Sequence, residues 1–198
     1  MDGSLDVTAF ILAGGKSTRM GVDKAFVGFG RSTLLARALD LARSFASDVR
    51  VVGGPEKFAD FAPVVEDIFQ ECGPLGAIHA ALLASETDLN LMLAVDMPFV
   101  PVAFLQYLLK QARNAPEAVV TVSRGDQGWQ PLCALYRPEF AGVAESALRE
   151  GQNKIGRLLD LVPSRVIEQN ELEDAGFSPA IFSNLNTPEE LEAEKRRA

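Results

Sequence analysis

The sequence has very little of the residues that build histidine-based or cysteine-based sites. His79 is the only histidine, and the two cysteines, Cys72 and Cys133, lie far apart in the chain. Without a C-x-x-C pair or zinc-ligand spacing, the zinc-finger and dithiol-redox classes are excluded. No spacing suggests a Ser, Cys or Asp partner for His79, so we expect it to be structural. We expect both cysteines to be reduced thiols, as is typical of cytoplasmic proteins.

Long apolar runs and a surplus of positive charge are missing too. No apolar stretch approaches the ~20 residues that a membrane-spanning helix requires. The N-terminus begins Met1-Asp-Gly-Ser and lacks the basic region of a signal peptide. With 27 acidic and 19 basic residues the formal charge is −8, which disfavours general nucleic-acid or anionic-membrane binding. We therefore expect a soluble cytoplasmic protein that binds neither nucleic acid nor membrane.

The order of the predicted elements indicates a single α/β domain over residues 1–198. Apolar runs predict buried strands near residues 7–13, 49–52, 64–67 and 91–95, and apolar residues at helical spacing predict helices over 34–45, 56–61, 73–83 and 102–112. Later strands are predicted near 118–123, 131–136 and 165–167, with helices near 138–150 and 153–161. Thr187, Pro188 and Glu190 form a capping-box pattern that predicts the start of a C-terminal helix.

Residues 7–24 form the most informative stretch. Val7 to Ala13 are apolar except for Thr8, as expected of a strand buried on both faces. Gly14 and Gly15 follow, and paired glycines let a ligand come close to the main chain. Lys16, Arg19 and Lys24 then arrive within nine residues. Free N–H donors and local positive charge suit a nucleotide triphosphate, although three charges alone could also form a solvated basic turn.

This stretch matches neither of the two common phosphate-binding loops. Gly15-Lys16-Ser17 resembles the end of a Walker A loop, but the first glycine of that motif would fall at Phe10. Gly28-Phe-Gly30 resembles the start of a dinucleotide fingerprint, but Thr33 occupies its last glycine position. The sequence therefore predicts a phosphate loop of another kind.

Polar and glycine-rich segments follow the other predicted strands. Asp96 closes the strand predicted at 91–95, and a lone carboxylate there suits Mg²⁺, with a helix cap as the alternative. Asp67 could be a ligand or only a turn residue, whereas the glycines of Gly73-Pro-Leu-Gly76 could let a flat base lie against the backbone. Because ligands of open α/β sheets bind at the carboxyl ends of the strands, we expect these segments to converge. Asn186, beside the predicted C-terminal helix, could be structural or could bind phosphate or a ring.

These motifs together resemble a known family. The segment from Leu12 to Lys24 looks like the signature loop of the nucleotidyltransferases that make activated sugars and cofactors. A fuller match is to the molybdenum cofactor guanylyltransferases, the MobA family. That match also includes Glu66-Asp67, Gly73-Pro-Leu-Gly76, Asp96-Met-Pro98, Gln130-Pro-Leu-Cys-Ala-Leu-Tyr136 and Asn184-Leu-Asn186-Thr-Pro-Glu-Glu-Leu191.

The resemblance implies a three-layer Rossmann-like nucleotidyltransferase fold with a largely parallel, mixed central sheet. It implies transfer of GMP from GTP to the terminal phosphate of molybdenum-molybdopterin, with Mg²⁺ as cofactor and pyrophosphate as product. Molybdopterin-handling or molybdoenzyme-maturation proteins are implied as further partners.

The resemblance also assigns roles to individual residues. It implies nucleotide binding by Leu12, Ala13, Gly14, Gly15, Lys24, Asp67, Gly76 and Asp96. Arg19, Lys24 and Asp96 would serve catalysis, with Asp96 also holding the metal. Asn184 and Asn186 would lie on the pterin side.

Two positions depart from the family pattern. Gly53 stands where family members often carry Asn, and Gln130 stands where His is frequent. The alternatives left open are a cytidylyltransferase acting on the same pterin, a sugar-phosphate nucleotidyltransferase, and a non-catalytic nucleotide-binding regulator. The base would be read by few contacts around Leu12 and the Gly73–Gly76 segment, so the sequence alone does not separate GTP from CTP.

Overall fold

A central sheet flanked by helices organises the computed structural model, which describes residues 7–14, 23–125 and 128–184. The strands are β1 (Val7–Leu12), β2 (Gly28–Phe29), β3 (Ser32–Thr33), β4 (Asp48–Val52), β5 (Val64–Val65), β6 (Leu89–Ala94), β7 (Val120–Gly125), β8 (Gly128–Trp129), β9 (Cys133–Tyr136) and β10 (Ser164–Glu168). The helices are α1 (Leu34–Arg43), α2 (Pro55–Phe58), α3 (Pro74–Leu83), α4 (Val102–Asn114), α5 (Phe140–Arg149), α6 (Ile155–Leu159) and α7 (Gln169–Asp174). Two 3-10 helices cover Lys24–Phe26 and Pro179–Phe182.

The main sheet is largely parallel. Its strand order is β10-β7-β9-β6-β1-β4-β5, and β8 lies off this path and pairs with β7. β1 is parallel to both β4 and β6, whereas β9 runs antiparallel between β6 and β7. The predicted mixed sheet is thereby confirmed. The chain builds outward from β1 through β4 and β5 and then returns to β6, so the strand order reverses between β1 and β6, where open sheets form a ligand crevice.

The side chains of β1 alternate between two buried cores. Ala9 and Ile11 join the core that includes α1 and α4. Phe10 and Leu12 join the core on the opposite face, which includes α3 and α5. A strand with apolar partners on both faces must be continuously apolar, as the sequence of β1 is. The predicted three-layer arrangement follows from these two cores.

Several predicted boundaries differ from the structure. The strand predicted at 64–67 is β5, which covers only Val64–Val65, so Asp67 lies beyond its end. The helix predicted to reach residue 45 is α1, which ends at Arg43 although Phe45 remains buried. Neither β8 nor α7 was predicted, because β8 has two residues and α7 has a single buried residue and no apolar stripe. The C-terminal helix expected from Thr187 lies outside the described residues. In the part of the chain that the structure describes, no helix has the length and apolarity to cross a membrane.

Asn90 supports the centre of the sheet through its buried amide. Its Nδ2 donates to the backbone oxygens of Thr87, at 3.1 Å, and Tyr136, at 3.3 Å. Thr87 in turn accepts a hydrogen bond from the backbone N–H of Thr8 at its Oγ1, at 3.1 Å. The amide therefore links β6 to β9 and fixes the turn that holds the start of β1.

We expect Asn90→Ala to lower the free energy of unfolding by about 2–3 kcal/mol, because it removes buried hydrogen bonds and leaves a small cavity. Chemical denaturation would measure the change. Asn114→Ala, at an exposed helix end, is the control and should stay within about 0.5 kcal/mol of the original chain. Equal stability of the two variants would contradict a supporting role for the amide.

Candidate active site

The segment after β1 is fixed by its backbone between two neighbouring strands. The N–H groups of Ala13 and Gly14 both donate to the oxygen of Val52, at 3.1 and 3.0 Å. The oxygen of Leu12 accepts from the N–H of Val95 at 3.2 Å. Residues 12–14, which are predicted to contact the nucleotide, thus lie at the point where the strand order reverses. Because the two N–H groups are bonded to Val52, they are not free to donate to a phosphate.

Lys24 and Asp96 form an ion pair at this edge of the sheet. The Lys24 Nζ lies 2.9 Å from the Asp96 Oδ2, and the two side chains are 21% and 19% exposed. Lys24 opens a 3-10 helix, whereas Asp96 follows Val95, whose N–H is bonded to Leu12. The pair therefore joins the end of the phosphate loop to the end of β6. A cation and a carboxylate at one crevice can bind a phosphate and a metal ion, respectively.

Asp23 and α2 support the position of Lys24. One oxygen of Asp23, Oδ1, accepts from the N–H of Ala25 at 3.2 Å and caps the 3-10 helix. The other, Oδ2, accepts from the Lys57 Nζ at 2.9 Å. Next to Lys57, the ring of Phe58 stacks on Phe26 with centroids 5.8 Å apart. Sequence reasoning gave Lys57 and Phe58 no role, because a helix of four residues carries no pattern that reveals its contacts.

The structure leaves no room for a side chain at Gly53, one of the two positions that depart from the family pattern. A Cβ atom built on Gly53 would lie 2.6 Å from the Cε2 atom of Phe58, a separation that real side chains do not adopt. The same Cβ would lie 3.6 Å from the Gly14 nitrogen. The Phe58 ring thus takes the space next to the loop that a side chain at position 53 would need.

Asp67 and Gly76 are brought together at the start of α3. A Cβ atom on Gly76 would lie 2.8 Å from the Asp67 Oδ1 and 2.8 Å from the oxygen of Phe69. The Asp67 Oδ1 accepts from the N–H of Phe69 at 3.1 Å. Desolvation raises the pKa of the Asp67 carboxyl, and the Phe69 hydrogen bond and the neighbouring His79 offset part of this shift. The absence of a side chain at Gly76 makes room for the Asp67 carboxylate. The sequence had suggested that this space would receive the base of a nucleotide.

Two side chains of the types that serve nucleophilic catalysis, His79 and Cys133, pack in the interior. His79 is 2% exposed and stacks edge-on against Phe69 with centroids 5.2 Å apart. Its two ring nitrogens have no hydrogen-bond partner within the described ranges. Cys133 is fully buried, and burial raises the pKa of its thiol to about 12. Such groups do not suit nucleophilic catalysis, in agreement with the structural role predicted for His79.

The remaining predicted residues are placed as follows. Asn184 is exposed and follows the 3-10 helix at Pro179–Phe182, which Phe182 anchors edge-on against Phe104 of α4. Gly15, Arg19 and Asn186 lie outside the described residues. Within residues 7–14, 23–125 and 128–184, no three His, Cys, Asp or Glu side chains form a group that could hold a metal. A single carboxylate at Asp96 still fits Mg²⁺, which takes one or two protein carboxylates and completes its coordination with phosphate and water.

The comparisons with known proteins agree with this geometry. Residues 9–169 match the family model described as a MobA-like NTP transferase domain. A Pelotomaculum thermopropionicum protein named "Probable molybdenum cofactor guanylyltransferase" is 32% identical, over 94% of this chain and 91% of the relative. The molybdenum cofactor guanylyltransferase of Syntrophotalea carbinolica is also 32% identical, over 96% of this chain and 91% of the relative.

A solved structure extends the likeness to the fold. The molybdopterin-guanine dinucleotide biosynthesis protein A of Archaeoglobus fulgidus superposes with a TM-score of 0.82 at 26% identity, covering 96% of this chain and 97% of the other. The family match, the two relatives and this shared fold each span most of the chain. The chain belongs to the family of MobA-like NTP transferases.

Proposed function

We propose that this protein transfers GMP from GTP to the terminal phosphate of molybdenum-molybdopterin and releases pyrophosphate. The observation that carries the proposal is the Lys24–Asp96 ion pair at the carboxyl edge of β1 and β6. It supplies a phosphate-binding cation and a metal-binding carboxylate at the position where open sheets bind ligands. The names of the relatives from Pelotomaculum thermopropionicum and Syntrophotalea carbinolica support the choice of guanylyl transfer and of the acceptor.

The chemistry requires two anions to be brought together. A phosphate oxygen of the acceptor attacks the α-phosphorus of the nucleotide in line, and pyrophosphate leaves. The chain's part is to position the two substrates and to neutralise their charge, because no covalent enzyme intermediate is needed. Lys24 and Arg19 would bind the triphosphate, and Asp96 would hold Mg²⁺. When bound, Mg²⁺ supplies charge neutralisation at the reacting phosphates.

The other proposed roles are those that the family resemblance implies. Leu12, Ala13, Gly14 and Gly15 would present backbone atoms to the nucleotide, other than the Ala13 and Gly14 N–H groups that Val52 accepts. Asp67, supported by Gly76, would accept hydrogen bonds from donors of the base, as a guanine ring offers. Asn184 and Asn186 would face the pterin.

The proposal includes a cytoplasmic location and further protein partners. The two thiols, Cys72 and Cys133, are unpaired, which supports the cytoplasmic location that we propose. The proposed partners besides the two substrates are proteins that handle molybdopterin or mature molybdoenzymes.

We expect GTP with Mg²⁺ to raise the melting temperature more than CTP, ATP or UTP, because a ligand that binds the native state stabilises it. At a concentration of about 100 times Kd the gain is about 2.7 kcal/mol, or roughly 5–10 °C for a chain of this size. A thermal shift assay with the four nucleotides measures it. A larger shift with CTP would contradict the guanylyl assignment and favour the cytidylyl alternative.

Replacing Asp96 tests whether the protein is an enzyme. We expect Asp96→Ala to lower the rate of pyrophosphate release from GTP and molybdopterin by about 100-fold or more, since removal of a preorganised charge at the reacting centre has effects of this order. Asp60→Asn, at an exposed turn, is the matched control and should keep full activity. Equal rates for Asp96→Ala and the original chain would refute the metal role.

Replacing Asp67 should separate stability from binding. Because burial raises the pKa of Asp67, its ionised form is disfavoured in the folded state, and the free energy of unfolding falls as pH rises through this pKa. Asp67→Asn should therefore be more stable than the original chain at pH 7 while it binds GTP more weakly. Denaturation across pH 3–8 and calorimetric GTP titration measure the two effects. A variant that loses stability at pH 7 would contradict this expectation.

A further inference from the structure

We propose that Lys57 is a positioning residue for the nucleotide: it holds Asp23 so that the following residue, Lys24, is presented to the crevice. The inference rests on the proposed function, because it assigns to Lys57 an effect on the binding of a nucleotide triphosphate. Lys57 belongs to α2, which follows the end of β4, and lies 34 residues beyond Asp23 in the chain.

Each oxygen of the Asp23 carboxylate has its own partner, and Lys57 is the partner of one of them. Oδ2 accepts from the Lys57 Nζ at 2.9 Å, and Oδ1 accepts from the N–H of Ala25 at 3.2 Å. The Asp23 side chain is 22% exposed, so most of it is covered, whereas Lys57 is 49% exposed. With one oxygen held by Lys57, the carboxylate keeps the orientation in which the other caps the 3-10 helix that Lys24 begins.

A second contact from the same helix lies on the other side of Lys24. The ring of Phe58 is buried and stacks on Phe26 with an interplanar angle of 20°. The helix α2 thus contacts the chain one residue before Lys24 and two residues after it. Fixing both neighbours limits the positions of the Lys24 backbone, from which its Nζ reaches Asp96 at 2.9 Å.

Lys57 also neutralises a charge that opposes nucleotide binding. Asp23 is the only acid between residues 14 and 24, so its carboxylate would repel a triphosphate bound to this loop. The ammonium group of Lys57 at 2.9 Å offsets that charge. The hydrogen bond and the charge of Asp23 raise the pKa of Lys57, so the compensating charge is present at every pH at which the enzyme would work.

A purely structural role for Lys57 makes a different prediction. If Lys57 only stabilised α2, its loss would lower the melting temperature and leave the affinity for nucleotide unchanged. If it positions Asp23 and Lys24, the affinity falls. Because partly exposed ion pairs have modest strength, we expect the dissociation constant to rise about three- to fivefold.

The experiment measures the dissociation constant of GTP with Mg²⁺ by titration calorimetry, with the melting temperature of each variant recorded beside it. We expect Lys57→Met to weaken binding about three- to fivefold and Lys57→Arg to bind as the original chain does. Lys110→Met, which removes an exposed lysine on α4, is the matched control and should leave the constant unchanged. In an Asp23→Asn background, Lys57→Met should change the constant less than about twofold, because the charge that Lys57 offsets is gone.

Two results would overturn the inference: a Lys57→Met variant that binds as tightly as Lys110→Met, or an equal loss of affinity with and without the Asp23 carboxylate. A failure of the proposed function has a separate signature, since the original chain would then prefer another nucleotide to GTP. In that case the same variants are compared with the preferred nucleotide triphosphate, because Lys24 meets the phosphates whatever the base is.

Discussion

The placement of β1 between β4 and β6 is the constraint on which the rest of the structure depends. β1 is parallel to both neighbours and buried on both faces, so its register determines where all three strands end. The hydrogen bonds of Ala13 and Gly14 to Val52, and of Val95 to Leu12, continue that register past the last strand residues. The ends of these strands therefore lie at one edge of the sheet, and there Lys24 forms an ion pair with Asp96, 72 positions further along the sequence.

The parts of the fold that depend on periodic apolar residues could be predicted from the sequence. The buried run of β1, the helical spacing in α4 and the glycines at the strand ends each have a local signal, and the family resemblance supplied the topology. The convergence of the loop with Asp96 could be predicted as well, because parallel strands deliver their carboxyl ends to one edge. Short or polar elements such as β8 and α7 could not be predicted, because tertiary contacts hold them in place.

The contacts that hold the candidate site in place could not be predicted from the sequence for a similar reason. The contact of Lys57 with Asp23 depends on how α2 leaves β4, and nothing in the spacing of the two residues indicates it. Gly76 shows the complementary case. A glycine there could be read as space for a ligand, yet the space belongs to the Asp67 carboxylate. Sequence motifs locate such glycines, but only the packing shows which neighbour occupies the space that a side chain would fill.

The ring of Phe58 beside Gly53 has a consequence for how this site can diverge. The two positions form one steric unit, because the volume next to Gly14 holds either an aromatic ring from α2 or a side chain at position 53. A polar residue at 53 and an aromatic residue at 58 can coexist only if the ring or the backbone shifts. A side chain added at position 53 alone would clash with the Phe58 ring, and removal of the ring alone would leave a cavity. Substitutions at the two positions are therefore expected to be epistatic.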